Sequence, residues 1–90
     1  MVAEKDLLIK NKLGLHARAA AQLVKTANRF SSEVKVEKDR NTVNGKSIMG
    51  VLTLAATCGS TVKVKCEGSD AVEALAAIEQ LIDAKFNEAE

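Results

Sequence analysis

Between Thr61 and Glu67 the chain alternates without a break, with Val62, Val64 and Cys66 on one side and Lys63 and Lys65 on the other. A period of two marks a β-strand with one dry and one wet face. Such a strand belongs in a sheet covered on one side only, because covering both faces would bury the lysines. Whatever covers it must be amphipathic, and two stretches qualify. Ala20, Leu23, Val24, Ala27 and Phe30 recur at helical spacing in a segment that reads as a helix over Ala17 to Arg29. Ala71, Ala74, Leu75, Ile78, Leu81, Ile82 and Phe86 do the same for a helix predicted over Ala71 to Asn87. Asp70 followed by Glu73 resembles a capping box at its start.

The other elements follow from shorter patterns. Leu7, Leu8 and Ile9 mark a first strand over Ala3 to Lys10, and Val34 and Val36 mark another over Glu33 to Glu37. Lys38-Asp39-Arg40 makes a polar turn into a short strand over Asn41 to Val43, which Asn44-Gly45 ends. A short helix begins after Ser47 with Ile48, Val51, Leu52 and Ala55 as its apolar stripe, and Gly59 breaks the chain again. The order is βαββαβα. Residues 1–90 make a single domain with one modest core. The expected fold is α+β: an open-faced two-layer sandwich whose four-stranded, mostly antiparallel sheet is covered on one face by helices.

Composition then excludes several functions. A formal net charge of +1, with Phe30 and Phe86 as the aromatic residues, offers neither field nor stacking platforms for nucleic acid. The first residues are charged, and the apolar stretch Ile48 to Leu52, with Leu54 to Ala56 after Thr53, is far too short to span a bilayer, so the expected site of action is the cytosol. Seven residues separate Cys58 from Cys66, which fits no zinc or dithiol motif, and the pair is expected to stay as free thiols. Metal binding at the single histidine, His16, lacks a second histidine or a nearby cysteine, and no cofactor is called for. Nothing of the form Gly-x-Ser-x-Gly appears, which removes the common hydrolase reading.

The informative segment is Asn11-Lys12-Leu13-Gly14-Leu15-His16-Ala17-Arg18-Ala19-Ala20. Gly14 permits a tight turn into the helix. Leu15 and Ala20 are spaced as a hydrophobic staple, which sets His16 at or beside the N-cap. There the backbone N–H groups of Ala17, Arg18 and Ala19 lack intrahelical partners and form an anion site. The positive helix end disfavours protonation, keeping the imidazole neutral and nucleophilic near neutral pH. Arg18 can bring a guanidinium to phosphoryl oxygens. Helix-end effects are worth about 0.3–1 kcal/mol each, which suits a site that must release what it takes. Without this context, a lone histidine is an ordinary surface residue.

Gly14-Leu15-His16-Ala17-Arg18, followed by Asn44-Gly45-Lys46-Ser47-Ile48-Met49-Gly50-Val51, closely resembles the histidine-containing phosphocarrier (HPr) family of the phosphoenolpyruvate-dependent phosphotransferase system. Both motifs and the element order over nearly all of the chain match. The resemblance implies a carrier rather than an enzyme, with His16 accepting phosphate on Nδ1 from phosphorylated enzyme I and passing it to an enzyme IIA domain. It makes Arg18 the anionic partner and Ser47 a regulatory site for an HPr kinase/phosphorylase. It also implies partner docking through Ala17, Ala21, Lys25, Ile48, Met49 and Leu52, by a monomer. On helical spacing alone Ile48 and Leu52 point inward and Met49 outward.

Ala19 stands where the family usually has proline, and Ala21 and Asn28 stand where some relatives have lysines. Ser47 is also a good N-cap in its own right, and a phosphoserine is well accommodated at a helix start. The branch stays open. Asn11-Lys12-Leu13-Gly14 and Ala19 are similar to nitrogen-branch carriers with a regulatory role, whereas the Ser47 segment is similar to the kinase-regulated sugar type. A small-molecule sensing module would leave the His16/Arg18 pair unexplained. A phosphoserine-dependent adaptor has no need of an intact His16.

Overall fold

The structure, a computed structural model, describes residues 1–88. Its elements are β1 (Val2–Leu8), α1 (Ala17–Ala27), β2 (Glu33–Lys38), β3 (Asn41–Asn44), α2 (Ile48–Thr53), β4 (Thr61–Glu67) and α3 (Ala71–Asp83), followed by a 3₁₀ turn over Lys85–Asn87. The strands lie in the order β1-β4-β2-β3, and every pairing is antiparallel. The open-faced sandwich read from the sequence is therefore the fold.

The alternation of β4 sets the register of the whole sheet. Val62 stands opposite Leu7, Val64 opposite Val36, and Cys66 between Ala3 and Val34. These residues share the face beneath the helices, where Val34, Val36, Val62, Val64 and Cys66 are buried. Lys63 and Lys65 emerge on the open face, beside Asp6 and Glu4 of β1. Cross-strand pairs of opposite charge favour this register. Lys5 lies on the helix-covered face of the edge strand β1, and its ammonium meets Glu79 of α3 at 2.6 Å. An inward-pointing charge on an edge strand also discourages pairing with another chain. Asp39 and Arg40 join β2 to β3 with φ of 50° and 70°. Two left-handed residues suit the twist of a two-residue hairpin.

Three sequence expectations are corrected. The helix predicted over Ala17 to Arg29 stops at Ala27, because Asn28 turns its side-chain amide back to donate to the Val24 carbonyl at 3.0 Å. Phe30 thus lies beyond the helical stripe, half-buried against the core. The last helix ends at Asp83 rather than Asn87, and Lys85, Phe86 and Asn87 adopt left-handed φ of 56°, 55° and 60°. This reversal drives Phe86 into the core, where it is fully buried.

The third correction concerns Asp70, which is the N-cap residue of α3 but makes no side-chain capping bond there. Its carboxylate instead accepts the backbone N–H groups of Ser31 and Ser32, each at 2.9 Å, and the Ser32 hydroxyl. Asp70 thereby ties the loop between α1 and β2 to the start of α3. The Ser32 hydroxyl, followed by the Ser31 N–H, pulls the Asp70 carboxyl down from 3.8 to about 2. A depressed carboxyl stabilises the fold fully above its unfolded value and loses that contribution as pH falls through the folded one. Asp70→Asn is therefore expected to lower the urea midpoint at neutral pH. The gap from the parent should close between about pH 4 and pH 2. A constant gap across that window would show that the carboxylate charge is not what ties the loop.

Cys58 is exposed and Cys66 buried, both as free thiols. Among the described residues, no helix is long and apolar enough to cross a membrane.

Candidate functional site

The approach to α1 is built around Gly14. Its φ is +68°, and a Cβ there would lie 2.4 Å from the Ala56 carbonyl oxygen, so both conformation and space require glycine. Leu15 donates its N–H to that same carbonyl at 2.8 Å, and both Leu15 and Ala20 are buried as the staple requires. Asn11 closes the loop from below. It is fully buried, and its Nδ2 donates to the Gly14 carbonyl at 2.8 Å.

His16 is the N-cap of α1, in extended backbone conformation. Its Nδ1 accepts the Arg18 backbone N–H at 3.3 Å, so one of the first-turn donors faces the ring nitrogen rather than solvent. Ala17 and Ala19 belong to the same turn, where intrahelical acceptors are lacking. Ala17 and Arg18 are exposed, while the Ala19 side chain is buried.

The other ring nitrogen is also engaged. Nε2 lies 2.5 Å from Glu88 Oε2, and the second Glu88 oxygen accepts Asn11 Nδ2 at 3.0 Å. The Glu88 side chain is only 10% exposed against 28% for His16, so the contact is shielded on one side and open on the other. The Asn11 amide, then the His16 ring and the charges of His16 and Arg18, hold the Glu88 carboxyl below its usual range, against the opposing effect of burial. A carboxylate on Nε2 favours a proton at that nitrogen, leaving the Nδ1 lone pair directed at the helix start.

Ser47 is the N-cap of α2, and its Oγ accepts the Gly50 N–H at 3.1 Å. Lys46 beside it sends its ammonium to the Phe30 carbonyl at 2.7 Å. Helices α1 and α2 pack against each other. Ala17, Ala21 and Lys25 of α1 are exposed, as are Ile48 and Met49 of α2, while Leu52 is half-buried. Ile48, expected to point inward, is 43% exposed. Within this six-residue helix Val51 is the buried residue, and Ile48, as its first residue, sits at the rim of the core. Ala55 of the same predicted stripe lies past the helix, exposed, with φ of 48°.

Three residues near His16 escaped the sequence reading. Glu88 lies at the far end of the chain, and no local pattern connects it to position 16. Asn11 read as an ordinary loop residue, since nothing in its neighbours signals burial. Leu13 is 68% exposed in the loop before the histidine, and an apolar residue in a polar loop was the available signal. Among the described residues, no group of three or more His, Cys, Asp or Glu side chains is placed to hold a metal ion.

Comparison with known proteins places this geometry. The family model described as the PTS HPr component phosphorylation site matches residues 3–84. The phosphocarrier protein HPr of Treponema pallidum is 48% identical over 84 residues, covering 93% of this chain and 96% of the relative. The HPr-like protein Crh of Halalkalibacterium halodurans is 48% identical over 82 residues, covering 91% and 98%. The crystal structure of HPr-C-His from Thermoanaerobacter tengcongensis matches with a TM-score of 0.94 at 50% identity, over 98% of this chain and 99% of that one. With its glycine turn, histidine N-cap and open-faced sandwich, the chain belongs to the HPr family of phosphocarriers of the phosphotransferase system.

Proposed function

We propose that this chain accepts a phosphoryl group on His16 Nδ1 from phosphorylated enzyme I and passes it to an enzyme IIA domain. The observation that carries this reading is the orientation of the ring: Nδ1 faces the first turn of α1 while Nε2 is held by Glu88. Attack through Nδ1 delivers the phosphoryl oxygens to the place where the N–H groups of Ala17, Arg18 and Ala19 converge. The Arg18 N–H holds Nδ1 at a long 3.3 Å, and it is readily given up to a phosphoryl oxygen. The Arg18 guanidinium adds charge-assisted donors on the solvent side.

The apolar residues Ile48, Met49 and Leu52, with low-profile Ala17 and Ala21, form the surface that enzyme I and enzyme IIA share, and Lys25 adds positive charge. Met49, at 72% exposed, offers the flexible thioether suited to several partners. The carrier acts in the cytosol as a monomer and needs no cofactor. An HPr kinase/phosphorylase modifies Ser47, setting negative charge beside the docking residues and repelling acidic partners.

Incubation with phosphoenolpyruvate and enzyme I is expected to put one acid-labile phosphoryl group on the protein, mapping to His16. An acid-stable label, or a label elsewhere, would overturn the reading. Incubation with ATP and HPr kinase is expected to add an acid-stable label that Ser47→Ala abolishes. Its absence in the parent would remove the regulatory part and leave the carrier intact.

A further inference from the structure

Glu88 lies beyond residues 3–84, the stretch that the family model covers. Its place is nevertheless tightly determined. Three successive left-handed residues reverse the chain after α3, and the buried Phe86 anchors the reversal. The Glu88 carboxylate then spans two partners, Asn11 Nδ2 at 3.0 Å and His16 Nε2 at 2.5 Å. Asn11 is itself fixed, fully buried and bonded to the Gly14 carbonyl of the turn that launches α1. A chain end thus reaches the ring nitrogen on the side away from the helix start, through a partner that belongs to the site.

We infer that Glu88 is a positioning residue for His16: its carboxylate keeps the proton on Nε2, orients the lone pair on Nδ1, and faces the positive charge the ring acquires on phosphorylation. The inference rests on His16 being the phosphoryl acceptor. In the forward step the Nδ1 lone pair forms the N–P bond as the bond from phosphorus to the donor atom breaks, its electron pair leaving with the donor. The proton stays on Nε2, so the ring becomes a cation paired with the Glu88 carboxylate. In the onward step the acceptor's lone pair attacks phosphorus, and the N–P pair returns to Nδ1. Among the described residues, Glu88, from the C-terminal segment, and Arg18, from α1, bring charge to the surroundings of the ring. Carboxylate partners that orient a histidine typically change its function 10- to 100-fold when removed, by analogy with histidines that ligate metals.

The test uses the full chain with Glu88→Ala and Glu88→Gln. Nitrogen-correlated proton spectra of the unphosphorylated parent are expected to show a downfield Nε2–H resonance slow to exchange with water. It should vanish in Glu88→Ala and move upfield in Glu88→Gln, whose amide oxygen can accept the bond without charge. Phosphorylation by limiting enzyme I is expected to be about tenfold slower in Glu88→Ala, with Glu88→Gln between it and the parent. A parent spectrum without that resonance would overturn the inference, as would Glu88→Ala accepting phosphate at or above the parental rate. The resonance needs no phosphoryl donor, so its presence or absence is separable from a failure of His16 to accept phosphate.

Discussion

Replacing His16 by alanine is expected to lower phosphoryl transfer from enzyme I by on the order of 10³-fold or more, to the background of the assay. No second imidazole can stand in for this one. It is the single histidine of the sequence, and the exposed thiol of Cys58 is turned toward the Lys10 carbonyl at 3.7 Å. The variant should remain folded, because the buried staple of Leu15 and Ala20 does not involve the ring. Losing the N-cap acceptor costs about 1 kcal/mol at most, since the bond it makes to Arg18 N is long. Stopped-flow or quench-flow labelling beside a thermal melt separates the two effects. Acid-labile labelling of a folded His16→Ala protein at even a tenth of the parental rate would refute the assignment.

The largest effect on stability is expected at Phe86. Truncating a fully buried phenylalanine to alanine costs about 3–5 kcal/mol, a large share of the roughly 5–15 kcal/mol that holds a domain together. For a chain of this size that corresponds to a fall in Tm on the order of 15–30 °C. Phe86 also sits among the left-handed residues 85–87. Such backbone costs about 1–2 kcal/mol per residue, and burial of the ring is what offsets it. Phe86→Ala should therefore release the C-terminal turn before the rest unfolds. The downfield Nε2–H proton of His16 is then expected to disappear at temperatures where the far-ultraviolet circular dichroism is still native. Phe86→Leu should retain most of the stability. A melt of Phe86→Ala within a few degrees of the parent would contradict the packing described above.

The two predictions touch opposite ends of the chain, and they differ in how far the sequence foretold them. His16 was legible because its context is local. Gly14, the Leu15/Ala20 staple and Arg18 lie within a few residues, and the geometry of one helical turn fixes their relation. The same holds for β4, whose alternation of valine and lysine determines both its faces and its neighbours. Ser47 as an N-cap was equally readable, and its Oγ takes the expected bond to Gly50 N–H.

Where the reading failed, long-range packing had overruled a local pattern. The stripe from Ala71 to Phe86 fits a continuous helix, and no glycine or proline announces a stop. Yet a helix continuing to Asn87 could not turn Glu88 back to Asn11 and His16, and the chain instead bends through three non-glycine residues in left-handed conformation. Asp70 followed by Glu73 fits a cap, but Ser31 and Ser32 offer four donors that the end of its own helix does not match. Ile48 fits an inward stripe, but this six-residue helix fully buries only Val51, with Leu52 half-buried against the core.

The sequence alone determined the element order, the covered face of the sheet and the histidine at a helix start, because periodicity, glycine turns and caps act over a few residues. Only the tertiary structure decided which groups meet across the chain: Glu88 on His16, 72 residues apart, and Asp70 on Ser32, 38 apart. Such pairs form when the packed core brings two segments together, and polar side chains then take the donors within reach. The histidine at the helix start was written locally, and the carboxylate on its Nε2 was placed by the fold.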